Sequence, residues 1–156
     1  MRSVRSWLAE YGESHRHPVN KRIHWVCVPL IMLSLVAMLW AVQLPIRIQG
    51  QSAPEANLGM LLVLLSLVYY YVLSFRLALG MTLVSLALLL LVVWLDRLPG
   101  PVWIPGLIIF LAAWIGQFAG HRIEGRKPSF FKDVQFLLIG PVWLLAALYD
   151  RLRLPY

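Results

Sequence analysis

Four long apolar runs dominate this sequence and limit the folds that it can adopt. Hydrophobic residues make up 60% of the 156 residues and charged residues 13%, whereas soluble domains carry about 25% charged residues. A chain with so little polar surface cannot cover itself in water, so its surplus apolar surface is expected to face lipid. Each run has close to the roughly 20 apolar residues with which a helix crosses a hydrocarbon core of about 30 Å. The runs span residues 23–44, 58–75, 77–95 and 102–119.

The breaks between these runs predict where the helices end. Arg76 is the expected hinge between the second and third runs. Before the fourth run, Pro99-Gly100-Pro101 predicts a turn. Pro29 lies near the expected start of the first helix, where a proline is tolerated. The sequence therefore predicts an all-α, polytopic membrane helix bundle with about four transmembrane helices.

A fifth apolar stretch, residues 136–149, is shorter than the other four and contains Gly140-Pro141. It is expected to form a bent, re-entrant or interfacial helix at the C-terminal end. The chain is accordingly predicted to be one integral membrane domain. Its expected segments are a polar segment at 1–22, four spans within 23–119, a second polar segment at 120–134, and a short apolar helix and tail at 135–156.

Basic residues flank the spans unevenly, which predicts the orientation of the chain. Loops on the cytoplasmic side of a membrane carry an excess of lysine and arginine. Because four crossings return the chain to its starting face, both polar segments are expected to be cytoplasmic. Basic residues in these positions attract lipid headgroups, and nothing in their pattern indicates nucleic-acid binding. The basic residues are Arg2, Arg5, Arg16, Lys21 and Arg22 before the first span, and Arg122, Arg126, Lys127 and Lys132 after the fourth.

All four histidines occur in or beside these two segments. Asn20 and His24 are four residues apart and would share a helical face, as would His121 and Glu124, three residues apart. Neutral imidazoles with a carboxylate suit iron(II), manganese or zinc, and two histidines with one carboxylate are typical of non-haem iron oxygenases. A shared metal site is therefore one interpretation of His15, His24, His121 and Glu124.

Other interpretations of the same residues stay open at this point. Interfacial histidines can hydrogen-bond lipid headgroups, and His17, beside Pro18, is expected to be a surface residue in a turn. Glu124 can form a surface salt bridge worth less than about 1 kcal/mol. A non-enzymatic lipid-binding or scaffold protein is the alternative function. A di-iron hydroxylase or desaturase needs more histidines than the chain has, and the spans carry almost no charge for a transport pathway.

Two separated motifs make the chain resemble a known family, the membrane 2-hydroxy fatty acid dioxygenases. Gly140-Pro141, near the C-terminal end, adds to the likeness. The first motif is Tyr11-x-x-x-His15, then Asn20-Lys21-x-x-His24 followed by Pro29-Leu30, and the second is Gln117-x-x-Gly120-His121-x-x-Glu124-Gly125-Arg126-Lys127-Pro128.

The resemblance implies an iron(II)-dependent enzyme that uses O₂ to shorten a 2-hydroxy fatty acid by one carbon, in fatty acid α-oxidation. The acyl chain of this substrate would lie between the spans. The resemblance also implies a location in the endoplasmic reticulum of a eukaryote or the inner membrane of a bacterium. Glu124 would be a further metal ligand or would orient a histidine N–H. Arg126 or Lys127 would offset the negative charge of the substrate carboxylate. The residues carried over by position are the metal ligands His15, His24 and His121, together with Tyr11, Asn20, Glu124, Arg126 and Lys127 as catalytic-site residues.

Overall fold

A computed structural model describes residues 3–45, 56–125 and 136–156 of the chain. Its regular structure there is α-helical apart from a single β-bridge between Gln43 and Asn57, so the all-α prediction is confirmed. The helices are α1 (Val4–Glu13), α2 (Pro18–Trp40), α3 (Leu58–Leu73), α4 (Phe75–Asp96), α5 (Trp103–Ile123) and α6 (Ile139–Arg151).

Three of these helices, α2, α4 and α5, are long and apolar enough to cross a membrane. The fourth predicted span, α3, is also apolar but has only 16 residues, which rise about 24 Å. Leu83, Leu90 and Ile115 project from α4 and α5 and are largely exposed, as expected for side chains that face lipid. The chain is a membrane protein.

Helix α2 begins five residues earlier than the predicted start of the first span. His17 caps it, because the imidazole Nδ1 accepts a hydrogen bond of 3.2 Å from the Val19 N–H. Pro18 follows in the first helical position, where its fixed φ favours the helix. Pro29 therefore lies in the middle of α2 and not near its start, and the Trp25 carbonyl loses its intrahelical donor.

The break between α3 and α4 lies at Ser74, so the predicted hinge at Arg76 is wrong. Ser74 has an extended backbone, with φ −165° and ψ 118°. Its N–H donates to the Tyr70 carbonyl at the end of α3, and its hydroxyl accepts from the Leu77 N–H at the start of α4. One serine thus caps both helices, whereas Arg76 continues α4.

The C-terminal helix α6 has 13 residues, which rise about 20 Å and are too few to cross a hydrocarbon core of about 30 Å. Because of Gly140-Pro141, a bend was one of the three expectations for this segment, beside a re-entrant or an interfacial helix. Both residues instead lie in its first turn, where a backbone N–H has no intrahelical acceptor to lose.

Helix α2 packs closely along α5. A Cβ atom added to Gly116 would lie 2.6 Å from Cys27 Sγ, and one added to Gly120 would overlap the Asn20 side chain. Glycines at such positions let two helix backbones approach each other. This packing places the start of α2 against the end of α5, next to α1 and α6, which also contact each other.

Candidate metal centre

Three histidines meet where α1, α2 and α5 come together. His15 lies in the turn between α1 and α2, His24 in the second turn of α2, and His121 in the last turn of α5. Each is buried, with exposed fractions of 3%, 1% and 7%. One nitrogen from each ring lies within 4.8 Å of the other two. The structure therefore brings together residues from the two sequence motifs.

The hydrogen bonds of two rings define their tautomers. His15 Nδ1–H donates to the Tyr11 carbonyl at 2.7 Å, and His24 Nδ1–H donates to the Asn20 carbonyl at 3.0 Å. A carbonyl oxygen only accepts, so each Nδ1 carries the proton and each Nε2 presents a lone pair. Those two Nε2 atoms lie 2.8 Å apart. Two lone pairs that face each other at this distance repel unless a cation lies between or beside them.

A metal ion suits this arrangement better than a proton does. Burial is the main cause that lowers the pKa of His15 to about 4; the hydrogen bond to Tyr11 opposes it and the His121 ring adds to it. The ring is therefore neutral near pH 7, which is the form that binds metal. Neutral imidazoles fixed by hydrogen bonds from the opposite nitrogen are the usual ligands of divalent transition metals.

Aromatic rings pack against His15. The Tyr11 ring stacks on the His15 ring, with centroids 4.2 Å apart and planes 13° from parallel. The centroid of the Trp143 ring of α6 lies 5.5 Å from that of His15. Phe136 packs edge-on against Tyr11 at 5.6 Å. These rings exclude water from one face of the histidine cluster.

Glu124 holds the turn that carries His15. Its Oε1 accepts a hydrogen bond of 2.8 Å from the Arg16 N–H, and its Oε2 accepts one of 2.9 Å from the His17 N–H and one of 3.0 Å from Asn20 Nδ2. Desolvation raises the pKa of Glu124, but these hydrogen bonds outweigh it and lower the pKa to about 2. The carboxylate is thus charged and points at the N-terminus of α2, which also favours an anion.

The structure describes three of the other predicted site residues, which are Tyr11, Asn20 and Glu124, but not the remaining two. Tyr11 contacts His15 directly, and Asn20 contacts both His24 and Glu124. The cluster of metal-capable side chains contains the three histidines but not Glu124. Arg126 and Lys127 lie outside the described residues.

A cavity of about 30 Å³ adjoins the cluster, lined in part by His24, His121 and Gln117. It has room for a water-sized molecule or O₂. Gln117 is buried, and its Oε1 has no hydrogen-bond partner within the described part of the chain. Gln117 lies one turn before His121, and this spacing was visible in the sequence. The place of Trp143 beside His15 had no local sequence signal, because it depends on how α6 packs.

Comparison with known proteins identifies the family of the chain. A family model described as "2-hydroxy-palmitic acid dioxygenase Mpo1-like" matches residues 1–152. The chain belongs to the Mpo1-like family. The resemblance inferred from the two motifs is thereby confirmed.

One curated relative of this Mpo1-like chain is the 2-hydroxy-palmitic acid dioxygenase MPO1 of Saccharomyces cerevisiae. The two are 31% identical over 144 residues, which cover 91% of this chain and 77% of the yeast protein. No solved structure matches the chain. All three clustered histidines of this Mpo1-like chain lie within the residues that the family model matches.

Proposed function

We propose that this Mpo1-like protein is an iron(II)-dependent dioxygenase that removes one carbon from 2-hydroxy fatty acids at the membrane interface. The reaction RCH(OH)COOH + O₂ → RCOOH + CO₂ + H₂O balances, with four electrons passing from the acid to O₂. The name of the yeast relative supports the substrate class. The observation that carries the proposal is the pair of His15 and His24 Nε2 lone pairs, 2.8 Å apart beside a third buried histidine.

His15, His24 and His121 would hold the metal. Three neutral imidazoles and no thiolate suit iron(II), and three protein ligands leave coordination positions for other molecules. Bound iron(II) would supply the O₂ activation that the reaction needs. The Nδ1 hydrogen bonds to the Tyr11 and Asn20 carbonyls keep both Nε2 atoms deprotonated and aimed at one point.

Other side chains would prepare the site for the acid. We assign Glu124 to holding the His15 turn, since its oxygens are already occupied by three N–H donors from the α2 end. Gln117 would hydrogen-bond the 2-hydroxyl or the carboxylate from the small cavity. Arg126 or Lys127, two and three residues after Glu124 in the sequence, would offset the carboxylate charge. The site would face the cytoplasm, as the distribution of basic residues predicts.

Metal analysis and turnover test this proposal together. The purified protein should contain stoichiometric iron, and it should convert 2-hydroxypalmitate and O₂ into a product one carbon shorter. His121→Ala should lose both the metal and the product. The control is His17→Asn, because His17 is exposed and asparagine keeps the N-cap of α2. Wild-type metal content in His121→Ala would exclude His121 as a ligand, and a metal-free wild type without turnover would support a lipid-binding protein instead.

A further inference from the structure

A second, larger cavity of about 420 Å³ lies between α2, α3, α4 and α6. Its walls are almost entirely apolar, with Leu33, Val63, Leu88 and Leu145 among the side chains that line it. A cavity of this chemistry binds a hydrocarbon chain, since each buried CH₂ group contributes about 0.8 kcal/mol.

This cavity adjoins the small cavity at the histidine cluster. Val28 and Met32, on successive turns of α2, line both. On the opposite side, Gly140 of α6 lines the small cavity and its neighbour Pro141 lines the large one. The two cavities are thus neighbours along α2 and the first turn of α6.

The large cavity also opens toward the lipid. Val84, Leu91 and Leu148 line it, yet 45%, 52% and 39% of their surfaces are exposed. They belong to α4 and α6, whose exposed apolar faces are those expected to contact the bilayer. A lipid-soluble molecule therefore reaches the cavity sideways, without passing through water.

The depth of the cavity suits a long chain. Val36 lines its deep end and lies twelve residues after His24 on α2, which corresponds to about 18 Å. An extended hydrocarbon chain with C–C bonds of about 1.5 Å advances about 1.25 Å per carbon, so this depth takes about 14 carbons.

We propose that this cavity is the acyl-chain site and that the acid enters it sideways from the bilayer. The proposal rests on the function proposed above. The tail would fill the space between α2, α3 and α4, while the head would pass between Val28 and Met32 of α2 and the first turn of α6 to the histidine cluster. Residues of this cavity would then select chain length.

Two leucines on α4 provide a matched test. Leu88 lines the deep half of the cavity, whereas Leu90 does not line it and is 71% exposed. Leu88→Trp should lower kcat/KM for 2-hydroxypalmitate by about tenfold or more, the effect of losing about two buried CH₂ groups. It should leave kcat/KM for 2-hydroxyoctanoate within about twofold of wild type. Leu90→Trp should change neither of these kcat/KM values. Leu91 also lines the cavity, so Leu91→Trp replaces Leu88→Trp if the latter does not fold. If the cavity variant and Leu90→Trp show the same dependence of kcat/KM on acyl-chain length, the acyl-site proposal is wrong while the dioxygenase function stands.

A binding experiment without turnover tests the acyl-chain site separately from the dioxygenase function. 2-Hydroxypalmitate with a photoreactive diazirine near its methyl end should label the α2 and α4 walls of metal-free wild type. Labelling without turnover would refute the enzyme and keep the acyl site. Equal labelling by a phospholipid with the same group would overturn the assignment to the acid.

Discussion

Asn20 Nδ2 donates a hydrogen bond of 3.0 Å to Glu124 Oε2, and so ties the first turn of α2 to the residue that follows α5. The same carboxylate binds the Arg16 and His17 N–H groups. Glu124 therefore sets the position of the His15 turn relative to His121. The proposed metal ligands from the two ends of the chain depend on this one side chain for their alignment.

Glu124→Gln should weaken metal binding without removing a ligand. The neutral amide keeps one acceptor oxygen but loses the charge and the second acceptor, so the His15 turn is held less firmly. Loss of a group that orients a ligand typically costs about 10- to 100-fold in metal affinity. Competitive chelator titration measures this change. Glu13→Gln is the control. Glu13 is exposed at the end of α1, and its substitution removes the same charge. Equal affinities in the two variants would show that Glu124 does not act through the turn.

The stabilising effect of Glu124 should disappear in acid. Its folded-state pKa of about 2 is below the ordinary value of 4.5. A lowered carboxyl pKa stabilises the fold above the unfolded-state value, and this stabilisation is lost as the pH falls through 4.5 toward 2. The difference in unfolding midpoint between metal-free wild type and Glu124→Gln should therefore be constant above about pH 5.5 and shrink below it. A difference that stays constant down to pH 3 would contradict the charged contact.

Metal removal should lower the stability of the protein. A ligand that binds only the folded state adds about 2.7 kcal/mol when its free concentration is 100 times the dissociation constant. Thermal unfolding in detergent, with and without a chelator, should show a higher midpoint for the metal-loaded wild type. In His121→Ala the chelator should have no effect. An equal chelator effect in both proteins would mean that the stabilising ion binds elsewhere.

Gly120→Ala should disrupt the junction between α2 and α5. The new methyl group would overlap the Asn20 side chain, which cannot move without leaving Glu124. Overpacking of this kind costs about 1–3 kcal/mol, and metal binding should weaken with it. Ala119→Val adds bulk on an exposed face of the same helix and serves as the control. A wild-type midpoint in Gly120→Ala would show that the helices separate easily.

The sequence predicted the parts of the site that follow from periodicity and charge. Apolar runs predicted the helices, and the paired basic segments predicted that His24 and His121 share one end of the bundle. The hinge was misplaced because Arg76 is the obvious polar residue in an apolar stretch, whereas the caps are supplied by Ser74. A cap depends on backbone geometry that composition does not reveal.

Tertiary contacts explain what the sequence left out. Residues 1–22 were predicted only as a polar segment, yet α1 forms there and presents Tyr11 to His15. The bonds of Glu124 to backbone N–H groups, and the buried hydroxyl of Tyr70, exist only after the helices pack. Arg126 and Lys127 lie outside the described residues, so their roles stay predictions.

The bond between Asn20 and Glu124 joins residues 104 positions apart. During synthesis, the first motif leaves the ribosome long before the second one exists, and it then carries only two of the three clustered imidazoles. If these three histidines hold the proposed metal, loading must wait until α5 has inserted beside α2. A chain truncated before residue 121 would then lack the third imidazole of the proposed site.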